Sequence, residues 1–294
     1  MKNTTQRRWL LSLLLPVVAL GCGQSSLTDR GDDAENRLAQ LDVNHALATP
    51  GEAEVSLVAN EWGTLKGKFV LDGKAPAAAK LKITKDQAFC GPFGLTSEDL
   101  VVSDDGGIRD IFIWVRVKRS TKLKIHPDYD SDADATIRIT NKDCRYEPHS
   151  LVLRAGQKLE LGNDDKVAHN VNLPFTKNQP YNRIIPPSGT DTIKKLSKAE
   201  RLPVEAKCDI HPWMNGRVLV QTHPYAAVTG EDGSFEIKNL PAGSELEFQV
   251  WHVSGYVDTP KVGGKPWKKG RFKMKVAKGD NDLGEIKLKA KDLQ

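Results

Sequence analysis

From residue 61 onward, apolar and polar side chains alternate with a period of two, not 3.6, which predicts strands rather than helices. TLKGKFVLDGKAP (64–76) is an alternating run closed by Asp72-Gly73, a hairpin-type turn signal. IRDIFIWVRVK (108–118) is β-branched and aromatic throughout, as a strand requires. Further strands are predicted at 135–140, 150–153, 158–162, 167–173, 217–221, 234–237, 246–252, 272–276 and 284–288. Gly, Pro, Asn and Asp clusters separate them at short intervals, the punctuation of an all-β sandwich. Only 191–200 has a helical look within this part, and no fixed-period repeat appears.

The first sixty residues follow other rules. A basic start (Lys2, Arg7, Arg8) precedes an apolar run of about twelve residues, short of the roughly 20 that a membrane-spanning helix needs. Residues 1–22 therefore read as a secretory leader. Ala19-Leu20-Gly21-Cys22 resembles the bacterial lipobox, which implies cleavage before Cys22 and acylation of its sulfur; the alternative is ordinary secretion. Residues 23–60 are polar and acidic, with too little apolar surface to offset the entropy of ordering, and read as a tether, apart from a possible helical fragment at 34–47.

With 294 residues, 39% hydrophobic and 28% charged, the chain is too apolar to be wholly disordered and too polar for a polytopic membrane protein. The net charge of +5 comes largely from the leader and the signs are well mixed, so nothing supports nucleic-acid binding. Nucleophile-elbow, phosphate-loop and zinc-hydrolase motifs are absent from the sequence.

One constellation carries chemistry: Cys208-Asp-Ile-His211-Pro-Trp-Met214, a thiol, an imidazole and a thioether on a short loop before a predicted strand. His169, followed by Asn170, lies upstream after the turn Asn163-Asp164-Asp165. A thiolate, two imidazoles and a weak axial thioether make the donor set of a blue-copper electron-transfer site, because soft sulfur favours Cu(I) and imidazole serves both oxidation states. Zinc is the competing metal for a C-x2-H pair, and Met214 alone would read as core filler. His149 reads as a structural residue before a strand, and His126, His223 and His252 have no partners at ligand spacing.

Residues 130–222 resemble the cupredoxins, and among them the amicyanin-like short ligand loop. The resemblance rests on CRYEPHSLVLRAGQKLELGNDD (144–165), VAHNV (167–171) and CDIHPWM (208–214). It implies a Greek-key β-sandwich holding one type 1 copper ion, with His169, Cys208 and His211 equatorial and Met214 axial. Asn170 would brace the two ligand segments. Asp209 departs from the pattern, since a hydroxyl residue commonly follows the ligand cysteine. His211, Pro212 and Trp213 would form an exposed electron port where a redox partner protein docks. With Cys22 assigned to lipid and Cys208 to metal, Cys90 and Cys144 form an even pair, which in an oxidising compartment implies a disulfide; the rivals are a buried thiol or an extra soft ligand.

AAVTGEDGSFEIKNLPAGSELEFQVWH (226–252) with the late LGEIKL (283–288) resembles the carboxypeptidase regulatory-like, or transthyretin-like, sandwich. The opening strand of that family matches residues 63–76, far upstream. The expected arrangement is therefore a discontinuous sandwich of 61–120 and 223–294, with a cupredoxin at 121–222 inserted or packed beside it. The whole resembles methylamine-utilisation-like lipoproteins. That resemblance implies an exported electron carrier, not an enzyme, anchored by lipid to a bacterial membrane at the periplasm or cell surface. Two alternatives stay open: a non-redox cell-surface binding module using Trp251, Tyr256 and Trp267, and a copper storage or delivery protein.

Overall fold

A computed structural model describes residues 55–57, 61–118, 121–258, 260–262 and 265–293. The leader, Cys22 and the possible helix at 34–47 lie outside the described residues. The regular secondary structure of the described chain is nearly all β-strand, in two sandwiches with separate apolar cores.

The inserted sandwich pairs a five-stranded sheet with a four-stranded one. The first runs Tyr181–Ile185, His169–Leu173, Val204–Lys207, Asn215–Gln221, Ser150–Arg154. The second runs Thr190–Ile193, Lys158–Asn163, Thr136–Lys142, Arg145–Glu147. The chain crosses repeatedly from one sheet to the other, so two pairings are parallel: Ser150–Arg154 with Asn215–Gln221, and Thr136–Lys142 with Lys158–Asn163. Ile139, Leu153, Leu159, Leu161, Val171, Leu173, Val218 and Val220 close the core between the sheets.

The flanking sandwich is built from both ends of the chain. Trp62–Leu71 lies between Ser234–Pro241 and Gly279–Leu288, pairing parallel with the latter. The facing sheet centres on Glu245–His252, which pairs with Phe112–Arg116, Arg271–Lys275 and Gly255–Tyr256. Its core is aromatic: Phe69 packs on Phe235, Phe248 stacks on Phe272 at 5.0 Å, and Trp267 stacks on Phe272 at 4.6 Å.

The period-two pattern explains how the two units meet. In 108–118, Ile111, Ile113 and Val115 face the flanking core, whereas Phe112 and Trp114 face the other way. Val218 and Val220 face the inserted core, and Leu219 between them points outward. Phe112, Trp114, Leu219 and Trp251 form a seam cluster, so a continuously apolar run here marks a strand buried on both faces.

Three sequence expectations change. Residues 191–200 form no helix: Thr190–Ile193 is a strand on Lys158–Asn163, where the pairing overrides a weak propensity. The backbone of Val55–Leu57, read as tether, pairs in parallel with Thr121–Leu123, consistent with its short alternating pattern. Residues 80–97, inside the stretch assigned to the flanking sandwich, pack instead on the inserted core through Leu81, Ile83, Phe89, Cys90 and Leu95. This strap is closed at its base by Leu81 N–H to Leu95 O and Ser97 N–H to Ala79 O, 2.9 and 2.8 Å. It carries the short helix Gln87–Cys90 at its tip, and Cys90 is disulfide-bonded to Cys144.

Candidate metal centre

Val204–Lys207 leads into Cys208, and Asn215–Gln221 returns antiparallel with Lys207 opposite Asn215. The connecting loop is tight. Cys208 N–H donates to Met214 O at 3.3 Å and Met214 N–H to His211 O at 2.9 Å. Cys208, His211 and Met214 are thus held on one tight turn of chain, all three buried. His169 opens the adjacent strand His169–Leu173, whose Asn172 pairs with Lys207. Ahead of it, Asp165 N–H donates to Asn163 Oδ1 at 3.0 Å, and Asn163 Nδ2 donates to Val167 O at 2.8 Å, folding the turn that delivers the imidazole.

The donor atoms of His169, Cys208 and His211 lie within 4.8 Å of one another, all buried. Metal–nitrogen bonds of about 2.0 Å and metal–sulfur bonds of about 2.3 Å place neighbouring donors about 3.5 Å apart. Cys208 Sγ and His211 Nδ1 are 3.6 Å apart. His169 Nδ1 is buried with no hydrogen-bond partner, an unusual deficit for an imidazole nitrogen unless it serves a ligand. The donor set fits a metal ion of the copper or zinc type. Met214 is buried in the same core, at the end of the same loop.

Carboxylates fix the other edge of each ring. His169 Nε2 lies 2.8 Å from Asp165 Oδ2 and His211 Nε2 lies 2.8 Å from Asp86 Oδ2. An ionised carboxylate only accepts, so Nε2–H is the donor and Nδ1 keeps its lone pair for a metal. Asp165 is itself held by the backbone N–H groups of Asp143 and Cys144, at 2.7 and 2.9 Å. Both residues have positive φ, 53° and 57°, as in a two-residue hairpin turn.

The electrostatics follow from these contacts. Burial raises the Cys208 thiol, but His169, His211 and the backbone N–H groups of Asn170 and His211 more than offset it, leaving it at about 6. Burial lowers the His169 imidazole, and Asp165 together with Cys208 reverses this to a net rise. Asp165 ends below its ordinary range, since burial is outweighed by His169 and the two turn N–H groups.

Asn170 joins the two ligand segments. Its Oδ1 accepts from Asp209 N–H at 3.1 Å, and its N–H points at Cys208 Sγ at 3.3 Å. The Asp209 carboxylate turns outward to the side-chain amides of Asn172 and Asn182, at 3.3 and 3.2 Å. The expected port differs. Pro212 is exposed and Trp213 half-buried, but His211 is 0% exposed, because the strap sets Asp86 against its outer edge. His211 is therefore not an exposed port.

A second grouping, Cys144, Asp165 and His169, offers no thiolate because Cys144 is disulfide-bonded. His149 pairs with Asp110 at 3.0 Å, His223 donates to Val115 O, and His252 contacts Ser254. Burial holds His223 and His252 down to about 4, so both are neutral structural groups. Trp267 lies in the flanking core at 2% exposure and Trp251 in the seam, which leaves neither free to bind a ligand. Sequence reasoning missed Asp86 and Asp165. Asp165 stands four residues before His169 in the quoted turn, a usable signal; Asp86 reaches the site only through the strap.

No protein-family profile and no curated protein matches the chain. Among solved structures, a reduced Cu(I) form of an amicyanin point mutant at pH 4 is 21% identical, covering 30% of this chain and 85% of its own, with a TM-score of 0.27. A purple cupredoxin from Nitrosopumilus maritimus is 23% identical over 30% of this chain and 100% of its own, TM-score 0.24. A copper-containing nitrite reductase from Thermus scotoductus is 16% identical over 36% of this chain and 25% of its own, TM-score 0.27.

Proposed function

We propose that the inserted sandwich holds one type 1 copper ion at His169, Cys208, His211 and Met214, and that the protein is a one-electron carrier. The observation that supports this most is the convergence of three buried donors with His169 Nδ1 left unpaired. Copper bound there supplies a Cu(I)/Cu(II) couple, which thiolate and imidazole donors together suit.

The residues do the rest. The backbone N–H groups of Asn170 and His211, at 3.3 and 3.4 Å, delocalise the charge of the Cys208 thiolate and fix its direction. Asn170 ties the two ligand segments together, so the donors keep one arrangement as charge changes. Burial excludes water, and four protein donors leave no position for a substrate, in keeping with a carrier rather than an enzyme. With His211 enclosed, electrons pass through the exposed part of the loop, Pro212 and half-buried Trp213, whose ring lies 5.0 Å from that of His211. A redox partner protein docks there over a small interface. The flanking sandwich, carboxypeptidase regulatory-like in pattern, orients the carrier. Export and an acyl anchor on Cys22 would hold it at a bacterial membrane, facing the periplasm or cell surface. Enclosure of His211 opposes a storage or delivery role, which requires ready exchange.

Reconstitution with one equivalent of Cu(II) tests the reading. An intense visible charge-transfer band is expected, absent in Cys208→Ser with the strand content unchanged. A stoichiometric but colourless complex overturns it, as does binding of zinc with exclusion of copper.

A further inference from the structure

Each imidazole of the cluster leans on a carboxylate, and the two carboxylates belong to distant parts of the chain that one covalent bond unites. Asp86 O accepts the Cys90 N–H at 2.8 Å, so the Asp86 backbone is fixed to the turn that ends in Cys90. Cys90 is bonded to Cys144, and the Cys144 N–H holds Asp165 Oδ2 at 2.9 Å. Cys144 O in turn accepts from Trp213 Nε1 at 3.3 Å, on the ligand loop itself. Asp165 and Asp86 then contact His169 and His211, whose ring centroids are 4.6 Å apart.

Burial does not explain the position of Asp86. Its side chain is 42% exposed, and its backbone sits at φ 42°, ψ 42°, a left-handed conformation that Asp tolerates better than most residues. The strap base and the disulfide place it, while His211 beneath it is fully enclosed.

We propose that Asp86 and Asp165, joined through the Cys90–Cys144 disulfide, form a two-armed clamp of positioning residues that sets both imidazoles with Nδ1 facing the metal position. This rests on the copper reading for the identity of the metal but not for the orientation of the rings. Asp165 secures the ring on the strand and Asp86 secures the ring on the loop. The negative charge on Asp86, held against the outer edge of His211, also favours the more highly charged Cu(II) over Cu(I).

The first test needs no metal. In the full chain labelled at histidine nitrogen, His211 is expected as the Nε2–H tautomer, and Asp86→Ala abolishes that preference while His149 and His223 signals stay in place. With copper, Asp86→Ala weakens Cu(II) binding by about 10-fold. Asp86→Asn, which keeps an acceptor oxygen without charge, retains the tautomer but shifts the reduction equilibrium towards Cu(I). The double variant Cys90→Ser, Cys144→Ser reproduces the His211 effect of Asp86→Ala; where it does not fold, Asp86→Asn and Asp86→Ala decide. An unchanged His211 tautomer and Cu(II) affinity within twofold of wild type in Asp86→Ala overturn the clamp. Failure of the wild type to bind copper overturns the carrier reading instead and leaves the tautomer result standing.

Discussion

The two sandwiches are alike in build and opposite in filling. Both close two sheets over an apolar core, yet the flanking core has stacked aromatic rings, with Phe248, Phe272 and Trp267 at its centre, and no cysteine, methionine or histidine among its buried residues. The inserted core has fewer buried aromatics, Tyr146 and Phe175; the Tyr146 hydroxyl donates to Asn170 O at 2.7 Å, and the core includes Cys208, Met214 and a disulfide. A core that must hold polar donors in one geometry gives up some apolar packing and needs other fixings. Here these are buried side-chain hydrogen bonds and a covalent bridge. The aromatic core has no such bridge; Thr229 Oγ1 bonds Ile108 O and the Tyr225 hydroxyl bonds Lys124 O, both at 2.7 Å, and close packing of the rings does the rest.

The sharpest way to break the comparison is to remove the bridge. The disulfide spans 54 residues, and in the chain-entropy model closing such an interval stabilises by about 4 kcal/mol. Replacing Cys90 and Cys144 by serine should therefore lower unfolding stability by about that amount. The loss should be confined to the inserted sandwich. Amide exchange at Leu161 and Val171 should accelerate while that at Phe248 and Val250 stays slow. Equal acceleration in both would mean that the two cores share one stability and that the contrast in their fixings is without consequence.

A second test addresses the seam. Leu219 projects from the inserted sandwich into a cluster with Phe112, Trp114 and Trp251. Leu219→Ala should cost about 3 kcal/mol, read by denaturant unfolding, because it opens a cavity between two stiff sheets. Neither core lining changes, so the copper spectrum should not move. A shifted spectrum would show that the site is strained through the seam, and the two units would then have to be treated as one.

The chain itself displays much of this contrast, and what it hides is hidden for identifiable reasons. The ligand loop is legible because a thiol, an imidazole and a thioether at short spacing are a chemically rare combination, and His169-Asn170 upstream supplies the second imidazole the set requires. The first half of Ser234–Pro241, residues 234–237, is legible from alternation alone, buried and exposed residues taking turns until the irregularity after Ile237. Phe112–Arg116 announces a strand but not its two-sided burial, which depends on the seam. Tyr181–Ile185 was not foreseen, because three of its five residues are exposed and polar neighbours mask it. Asp86 could not be foreseen as a partner of His211. It lies 125 residues away, and only the strap and the disulfide bring it there.

The smallest effect concerns a buried ion pair that belongs to neither core. His149 Nδ1 lies 3.0 Å from Asp110 Oδ2, and Arg109 Nε lies 3.0 Å from the same oxygen. Glu98 bridges Arg109 and Arg145 nearby, at 2.9 and 3.1 Å. Burial lowers the His149 imidazole but the Asp110 carboxylate outweighs it, so His149 ends above its ordinary 6.5. Its contribution to stability is then complete below about 6.5 and disappears as pH rises through the raised value. Asp110 ends below its ordinary 3.8, because His149 and Arg109 outweigh its burial. Its contribution is complete above 3.8 and lost as pH falls through the lowered value. These are two ends of one interaction and are not to be added. His149→Gln should cost about 2 kcal/mol near pH 6 and less towards pH 9, measured as the difference between unfolding free energies of variant and wild type across that range. Taking the difference removes the titration of Cys208 and His169, which both chains share. A difference that stays constant with pH would mean that His149 is held neutral between the sandwiches, and that its hydrogen bond to Asp110 fixes the joint without a charge on the ring.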